Sequence, residues 1–137
     1  MPEYEGNCLC KAIHLKAIIE EPKLSCCHCE TCRIWCSSPF MAFSCTQKPS
    51  VSENENVGKY ASSSFAERIF CKNCGTTLYF AYTNGKNPYF INAWLFKGIE
   101  NITFDAQVCI DDKPDCYDFA NKTSMFTVDE VMKSIVK

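Results

Sequence analysis

Missing from this sequence of 137 residues is any apolar run long enough to span a bilayer, which takes about 20 residues in a helix. The N-terminus, Met1-Pro2-Glu3-Tyr4-Glu5, is acidic and lacks the apolar stretch of a secretory signal. Taken as a complete chain, it is expected in a reducing compartment, the cytoplasm or alternatively the nucleus, without membrane attachment. An excess of positive charge is missing too. Lys plus Arg total 14 against 16 Asp plus Glu, a formal charge of -2, and the basic residues are scattered. That argues against direct nucleic-acid binding, which draws on a clearly basic face. There is no nucleotide-binding glycine loop, no paired-carboxylate pattern and no serine-hydrolase elbow, so those chemistries are set aside.

What is abundant is cysteine, with 12 in the chain. Such a count in a short chain suggests a disulfide scaffold when secreted, but metal ligation or free thiols in a reducing compartment. Apolar residues make up 47% and aromatics 13%, enough for a real hydrophobic core. The length suits a single domain over residues 1–137, and the aromatic content favours pleated structure.

The periodicity is that of short strands. Residues 11–18 alternate, with Ile13, Leu15 and Ala17 on one side and His14 and Lys16 on the other, so His14 needs no catalytic role. Residues 40–45 and 77–82 read as further strands, and residues 50–64 as strand fragments between turns. Asn84-Gly85 supplies a hairpin turn from which residues 89–96 return. Residues 102–110 are expected to form a further edge. With no long helix between them, these elements predict a mainly β fold. The tail differs: Thr127 followed by Glu130 makes a capping box, and Phe126 with Val131 is placed as a staple. Val128, Val131, Met132 and Ile135 fall at helical spacing, predicting a short C-terminal helix with its apolar stripe packed on the core.

Two thiol groups carry the chemistry. Cys71-Lys72-Asn73-Cys74-Gly75 lets two sulfurs approach one ion, with Gly75 suited to a positive φ. Cys8-Leu9-Cys10 is tighter and must bend locally. Together they supply four soft anionic ligands for a closed tetrahedral zinc site, clamping the start of the chain to its middle. The second group is Cys27-His28-Cys29-Glu30-Thr31-Cys32-Arg33, with three ligands at Cys-x-Cys-x-x-Cys spacing. Its fourth position is open to Cys26, to Cys36, to water or to a substrate thiol. An open position is what zinc chemistry requires. In so thiolate-rich a site His28 is expected to face outward rather than ligate. Arg33 suits either an anionic substrate and nearby thiolates or a surface ion pair, and Trp35 a core position. Cys45, Cys109 and Cys116 lie outside the compact groups and read as small buried hydrophobes.

Three stretches in this order resemble the glutathione-dependent formaldehyde-activating enzyme and centromere protein V family. They are Gly6-Asn7-Cys8-Leu9-Cys10, residues 27–33 as written above, and Phe70-Cys71-Lys72-Asn73-Cys74-Gly75-Thr76-Thr77-Leu78. The resemblance covers most of residues 4–118. It implies an Mss4-like β fold built around zinc, with Cys8, Cys10, Cys71 and Cys74 on a structural ion. It implies a second, more exposed zinc on Cys27, Cys29 and Cys32, tied to catalysis or glutathione binding. The activity it implies is carbon-sulfur lyase chemistry on a small thiol adduct, the named reaction joining formaldehyde to glutathione as S-hydroxymethylglutathione. Arg33 then becomes a contact for a glutathione carboxylate. The competing expectation is a noncatalytic zinc-supported module that binds a protein partner, favoured if a further sulfur closes the second site. Two departures stand out: Lys11 follows Cys10 where Gly is frequent, and residues 107–117 lack an expected His, with Cys116 near the position of an expected Trp.

Overall fold

Strand alternation along the chain sorts apolar side chains onto one face of each ribbon, and two sheets bury those faces against each other. The computed structural model describes residues 2–52 and 54–136. A three-stranded antiparallel sheet contains β1 (Glu3–Asn7), β2 (His14–Ile18) at its centre and the short β5 (Ser50–Val51). The larger, eight-stranded sheet runs in the order β11 (Ser124–Phe126), β10 (Thr103–Val108), β3 (Lys23–Cys27), β4 (Phe40–Cys45), β9 (Tyr89–Asn92), β8 (Thr77–Tyr82), β7 (Ala66–Cys71) and β6 (Val57–Ala61). Between the sheets, Ile13, Leu15, Ala17 and Ile19 meet Leu24, Phe43, Ile69, Tyr79 and Ile91 in one buried cluster. Burying each of the Ile, Leu and Phe side chains stabilises the fold by roughly 1.5–3 kcal/mol before chain entropy is counted.

The opposite face of the large sheet is covered in part by α1 (Glu30–Cys36), a helix the sequence did not announce. Cys32 and Trp35 from this helix pack on Phe40, Ala42, Phe80 and Phe90. Helix starts are recognised by Ser, Thr, Asp or Asn at the cap. Here the cap is Cys29, whose Sγ accepts from the backbone N–H of Cys32 at 3.3 Å.

β4 and β8 have the predicted bounds, and β2 carries the predicted alternation. Gly85 takes φ 76° and its N–H donates to the Tyr82 carbonyl at 3.2 Å, closing the expected turn. The return strand is shorter than residues 89–96, because Asn92 caps a 3-10 turn over Ala93–Leu95. The expected edge at residues 102–110 is corrected. β10 is interior and parallel to both of its neighbours, β3 and β11. A period of two shows which face a strand buries, not which strands lie beside it.

At the C-terminus α2 (Val128–Val136) forms with its capping box intact. The Thr127 N–H donates to Glu130 Oε1 at 3.1 Å, and the Glu130 N–H donates to Thr127 Oγ1 at 3.2 Å. Its apolar stripe is not packed in the core as expected: Val128 and Val131 are half-buried and Met132 is exposed. The side chain of Ile135 lies outside the described residues. No helix among the described residues is long and apolar enough to cross a membrane.

Gly6 ties β1 to the segment that follows the 3-10 turn through a bridge to Phe96. A Cβ at this position would sit 2.5 Å from the Leu95 carbonyl oxygen, and the obstacle is backbone. Gly6→Ala is therefore expected to destabilise the protein by about 1–3 kcal/mol, the usual cost of overpacking. A urea midpoint unchanged from wild type would overturn that expectation.

Candidate functional site

The first thiol group forms where two turns meet. β1 ends at Asn7 and the chain doubles back, with the Cys8 N–H donating to the Ile13 carbonyl at 3.0 Å. β7 ends at Cys71, where Gly75 at φ 77° lets its N–H reach the Cys71 carbonyl at 2.8 Å. The sulfurs of Cys8, Cys10, Cys71 and Cys74 all lie within 4.8 Å of one another. The Cys8–Cys10 separation is 3.6 Å and Cys10–Cys71 is 3.8 Å. Four sulfurs placed tetrahedrally around zinc at about 2.3 Å stand roughly 3.8 Å apart. The group fits the ion in number, donor type and spacing.

Backbone donors complete the fit. The Ile13 N–H points at Cys8 Sγ at 3.3 Å, and the Cys74 N–H at Cys71 Sγ at 3.5 Å. Thr76 Oγ1 lies 3.1 Å from Cys74 Sγ and accepts from the Leu9 N–H, tying one turn to the other. Burial raises the Cys8 thiol to about 11. Burial also works to raise Cys74, but hydrogen bonds led by that of Thr76 outweigh it and hold the thiol at about 5.

Lys11, in the first turn, adopts φ 65°. The left-handed conformation costs a non-glycine residue on the order of 1–2 kcal/mol, against the roughly 0.5–1 kcal/mol of extra chain entropy that glycine loses. Lys11→Gly is expected to raise stability by up to about 1 kcal/mol, and Lys11→Val to lower it. Chemical denaturation of both variants checks the sign.

The second thiol group lies on the α1-covered face of the large sheet, where β3 runs into the helix. Cys27, Cys29 and Cys32 place their sulfurs within 4.8 Å of one another, again a spacing that suits one ion. Cys26 points to the opposite face, its Sγ 3.4 Å from His28 Nε2, and neither it nor Cys36 joins the cluster. Cys109 does approach, with its Sγ 3.9 Å from that of Cys27. Cys109 is thus no mere packing residue. Cys45 is buried in the core as expected, whereas Cys116 is exposed. Hydrogen bonding among these thiols holds their protons unequally. Hydrogen bonds from Cys109, Cys27 and Cys32 hold Cys29 low. Cys27, bonded chiefly to Cys109, and Cys32, bonded chiefly to Cys27, are held above the normal thiol range. As ligands of a divalent ion, Cys27, Cys29 and Cys32 would all be thiolates.

His28 is buried rather than outward-facing. Its Nε2 donates to Gln107 Oε1 at 2.8 Å, leaving Nδ1 to accept from the Tyr117 hydroxyl at 2.7 Å. Burial lowers its pKa, in keeping with that neutral tautomer. Gln107 Nε2 continues the chain to Thr123 Oγ1 at 3.0 Å, so the network holds residues 117–123 against β10. Arg33 bridges two carbonyls, donating from Nε to His28 at 2.8 Å and from Nη2 to Asp112 at 3.3 Å. Trp35 packs on Phe40 in the core, as the sequence suggested.

The cation nearest the sulfurs is one that sequence reasoning did not single out. Arg68 is 5% exposed and donates from Nη1 to Cys32 Sγ at 3.2 Å. Its Nε donates to Ser62 Oγ, and its guanidinium carbon lies 4.9 Å from the Trp35 ring centroid and 5.0 Å from that of Phe80. A buried charge needs an opposite charge, and of the groups it touches the Cys32 sulfur is the one able to carry it. A cleft of about 340 Å³ opens on the same sheet face, lined by Ser25, Ser44, Phe90 and Val108 together with Glu20, Glu21, Lys23 and Asp105. That size lies within the usual range for small-molecule sites.

Comparison with known proteins places these features in context. Residues 3–111 match the family described as "Glutathione-dependent formaldehyde-activating enzyme". Among solved structures, a Rhodobacter sphaeroides protein superposes with a TM-score of 0.59 at 21% identity, covering 70% of this chain and 90% of that one. At that identity the likeness bears on the fold alone.

Proposed function

The chain belongs to the glutathione-dependent formaldehyde-activating enzyme family, and from that premise we propose that it is a zinc-dependent carbon-sulfur lyase acting on a small, glutathione-linked thiol adduct. The observation that carries this reading is the Cys27–Cys29–Cys32 cluster, three thiol donors at ligand spacing beside a cleft of suitable size. Zinc bound there would stabilise the thiolate form of a substrate sulfur, the species that adds to an aldehyde carbon or leaves it.

The chain's own residues do the rest. Cys27, Cys29 and Cys32 would hold the ion at the foot of α1, and Arg68, which donates to Cys32 Sγ, would balance the negative charge of that ligand. Ser25 lies two residues before Cys27 on the same face of β3, and Val108, the strand partner of Cys27, lines the cleft with it. Glu20, Glu21 and Asp105 outnumber Lys23 in that lining, which suits the ammonium end of a γ-glutamyl thiol. Arg33 stands beside the cluster as the candidate contact for a substrate carboxylate. Tyr82, on the same sheet face, has its phenol pKa pushed up chiefly by burial and is held protonated.

The test is Cys29→Ser. Turnover of S-hydroxymethylglutathione, in either direction, is expected to disappear, while metal content falls from two ions to one and the far-ultraviolet circular dichroism is retained. A fully metal-loaded wild-type protein that turns over no glutathione adduct would sink the enzyme reading. The second reading, a noncatalytic zinc-supported module that binds a protein partner, is favoured by the approach of Cys109 to Cys27. It predicts a partner complex with no small-molecule turnover.

A further inference from the structure

We propose that Cys109 is the fourth ligand of the second ion, so that the resting site is a four-thiolate shell that a substrate thiol opens by taking the place of Cys109. The inference rests on reading Cys27, Cys29 and Cys32 as a metal site. It adds the residue that completes the site and the way in which the site is entered.

Four observations converge. The Cys109 sulfur is 3.9 Å from that of Cys27, and the residue is buried. The alternatives fall away, since Cys26 faces the other side of the sheet and Cys36 is outside the cluster. The loop carrying Cys109 is fastened to the ligand-bearing helix at several points. The His28 N–H donates to the Val108 carbonyl at 3.1 Å and the Glu30 N–H to Asp112 Oδ2 at 2.8 Å, while Arg33 links the carbonyls of His28 and Asp112. Finally, Cys109 sits at φ 55° and ψ 43°, a left-handed conformation that begins the 3-10 turn Ile110–Asp112.

The fit is asymmetric, and that asymmetry gives Cys109 its distinct role. Cys27, Cys29 and Cys32 are mutually within 4.8 Å, whereas Cys109 stands outside that mutual limit. Completing the shell requires its sulfur to close to the roughly 3.8 Å spacing of a tetrahedral zinc site. Three ligands therefore come from one continuous segment, and the fourth comes from a separate, fastened turn, from which the Cys109 side chain alone has to swing away. When a thiol replaces it, the proton lost by the incoming sulfur passes to the released Cys109 sulfur. The exchange then neither creates nor removes net charge, and Arg68 beside Cys32 keeps its balancing role throughout.

Cobalt(II) loading tests this without reference to turnover. Wild type is expected to bind two cobalt ions per chain with intense thiolate charge-transfer bands. Cys109→Ala is expected to keep both ions but to lose about one-eighth of that intensity, one thiolate of eight in two tetrahedral shells. Adding glutathione to the variant is expected to restore the loss. Identical spectra for wild type and Cys109→Ala would overturn the assignment while leaving the three-thiol metal site standing. One cobalt per chain in the wild type would overturn the metal reading itself. Should Cys109→Ala fail to fold, X-ray absorption of the zinc-loaded wild type decides. A shell of sulfur alone supports the proposal, and an oxygen or nitrogen neighbour refutes it.

Discussion

Stripping the metal with a chelator, under reducing conditions that keep the thiols free, should unfold this protein rather than merely silence it. The first thiol group fastens the turn after β1 to the turn after β7, and two of its members, Cys8 and Cys71, belong to the central core cluster. A structural zinc site contributes an apparent free energy on the order of 10 kcal/mol, within the roughly 5–15 kcal/mol of total stability typical of a domain. Apolar packing between the sheets will leave residual compactness, so the expected product is a chain without cooperative melting rather than a fully extended coil. Cys71→Ser should reproduce the effect, whereas Cys29→Ser, at the other cluster, should not. Near-ultraviolet circular dichroism and a melting curve in chelator are the measurements. A sharp transition within a few degrees of the loaded protein would refute the structural role.

The second large effect is expected at Arg68, and its sign should depend on metal. This guanidinium is 5% exposed and has a sulfur, a hydroxyl and two aromatic faces as its neighbours. In the loaded protein it offsets thiolate charge, so Arg68→Met should weaken binding of the second ion by about 10–100-fold, the usual cost of losing a group that supports a ligand. In the metal-free protein the cation is buried with little to balance it. Replacing such a group with an apolar one is often neutral or stabilising by about 1–4 kcal/mol. Competition with a chromogenic chelator reads the first effect and denaturation in excess chelator the second. Arg68→Lys should preserve charge but lose the planar stacking on Trp35 and Phe80, giving an intermediate affinity. Weaker metal-free stability with unchanged metal affinity would mean that Arg68 serves packing alone.

Sequence reading recovered what is encoded locally. Cys8, Cys10, Cys71 and Cys74 announced themselves because each pair chelates within its own turn, and their sulfurs do meet. β4 and β8 stand out as apolar runs beside turn residues, and the start of α2 follows from Thr127 and Glu130. What escaped depends on neighbours distant in the chain. Arg68 follows Ala66 and precedes Phe70 on the face of β7 turned away from the inter-sheet core, so alternation alone makes it a surface residue. It is buried only because α1 covers that face, and α1 was missed because a sulfur caps it. Cys109 looks like a packing residue in the sequence because nothing near it there is a ligand. Its partner is Cys27, brought close by the parallel pairing of Val108 with that residue. His28 was expected outside because the sequence does not show that Gln107 and Tyr117 will supply its two hydrogen bonds.

The interior place of β10 also sets an order in time. β3 has its antiparallel neighbour β4 close behind it in the chain, but its other neighbour lies at Thr103–Val108. During synthesis, β3 remains an open edge until that segment has been made, with its row of backbone donors and acceptors free to pair with another chain. Cys27 at its end, and Cys29 and Cys32 just beyond, wait equally long for the covering turn at Ile110–Asp112. The nascent protein thus passes through a period in which its reactive sulfurs and an adhesive strand are uncovered together, and early capture of zinc by Cys27, Cys29 and Cys32 would protect the sulfurs through it.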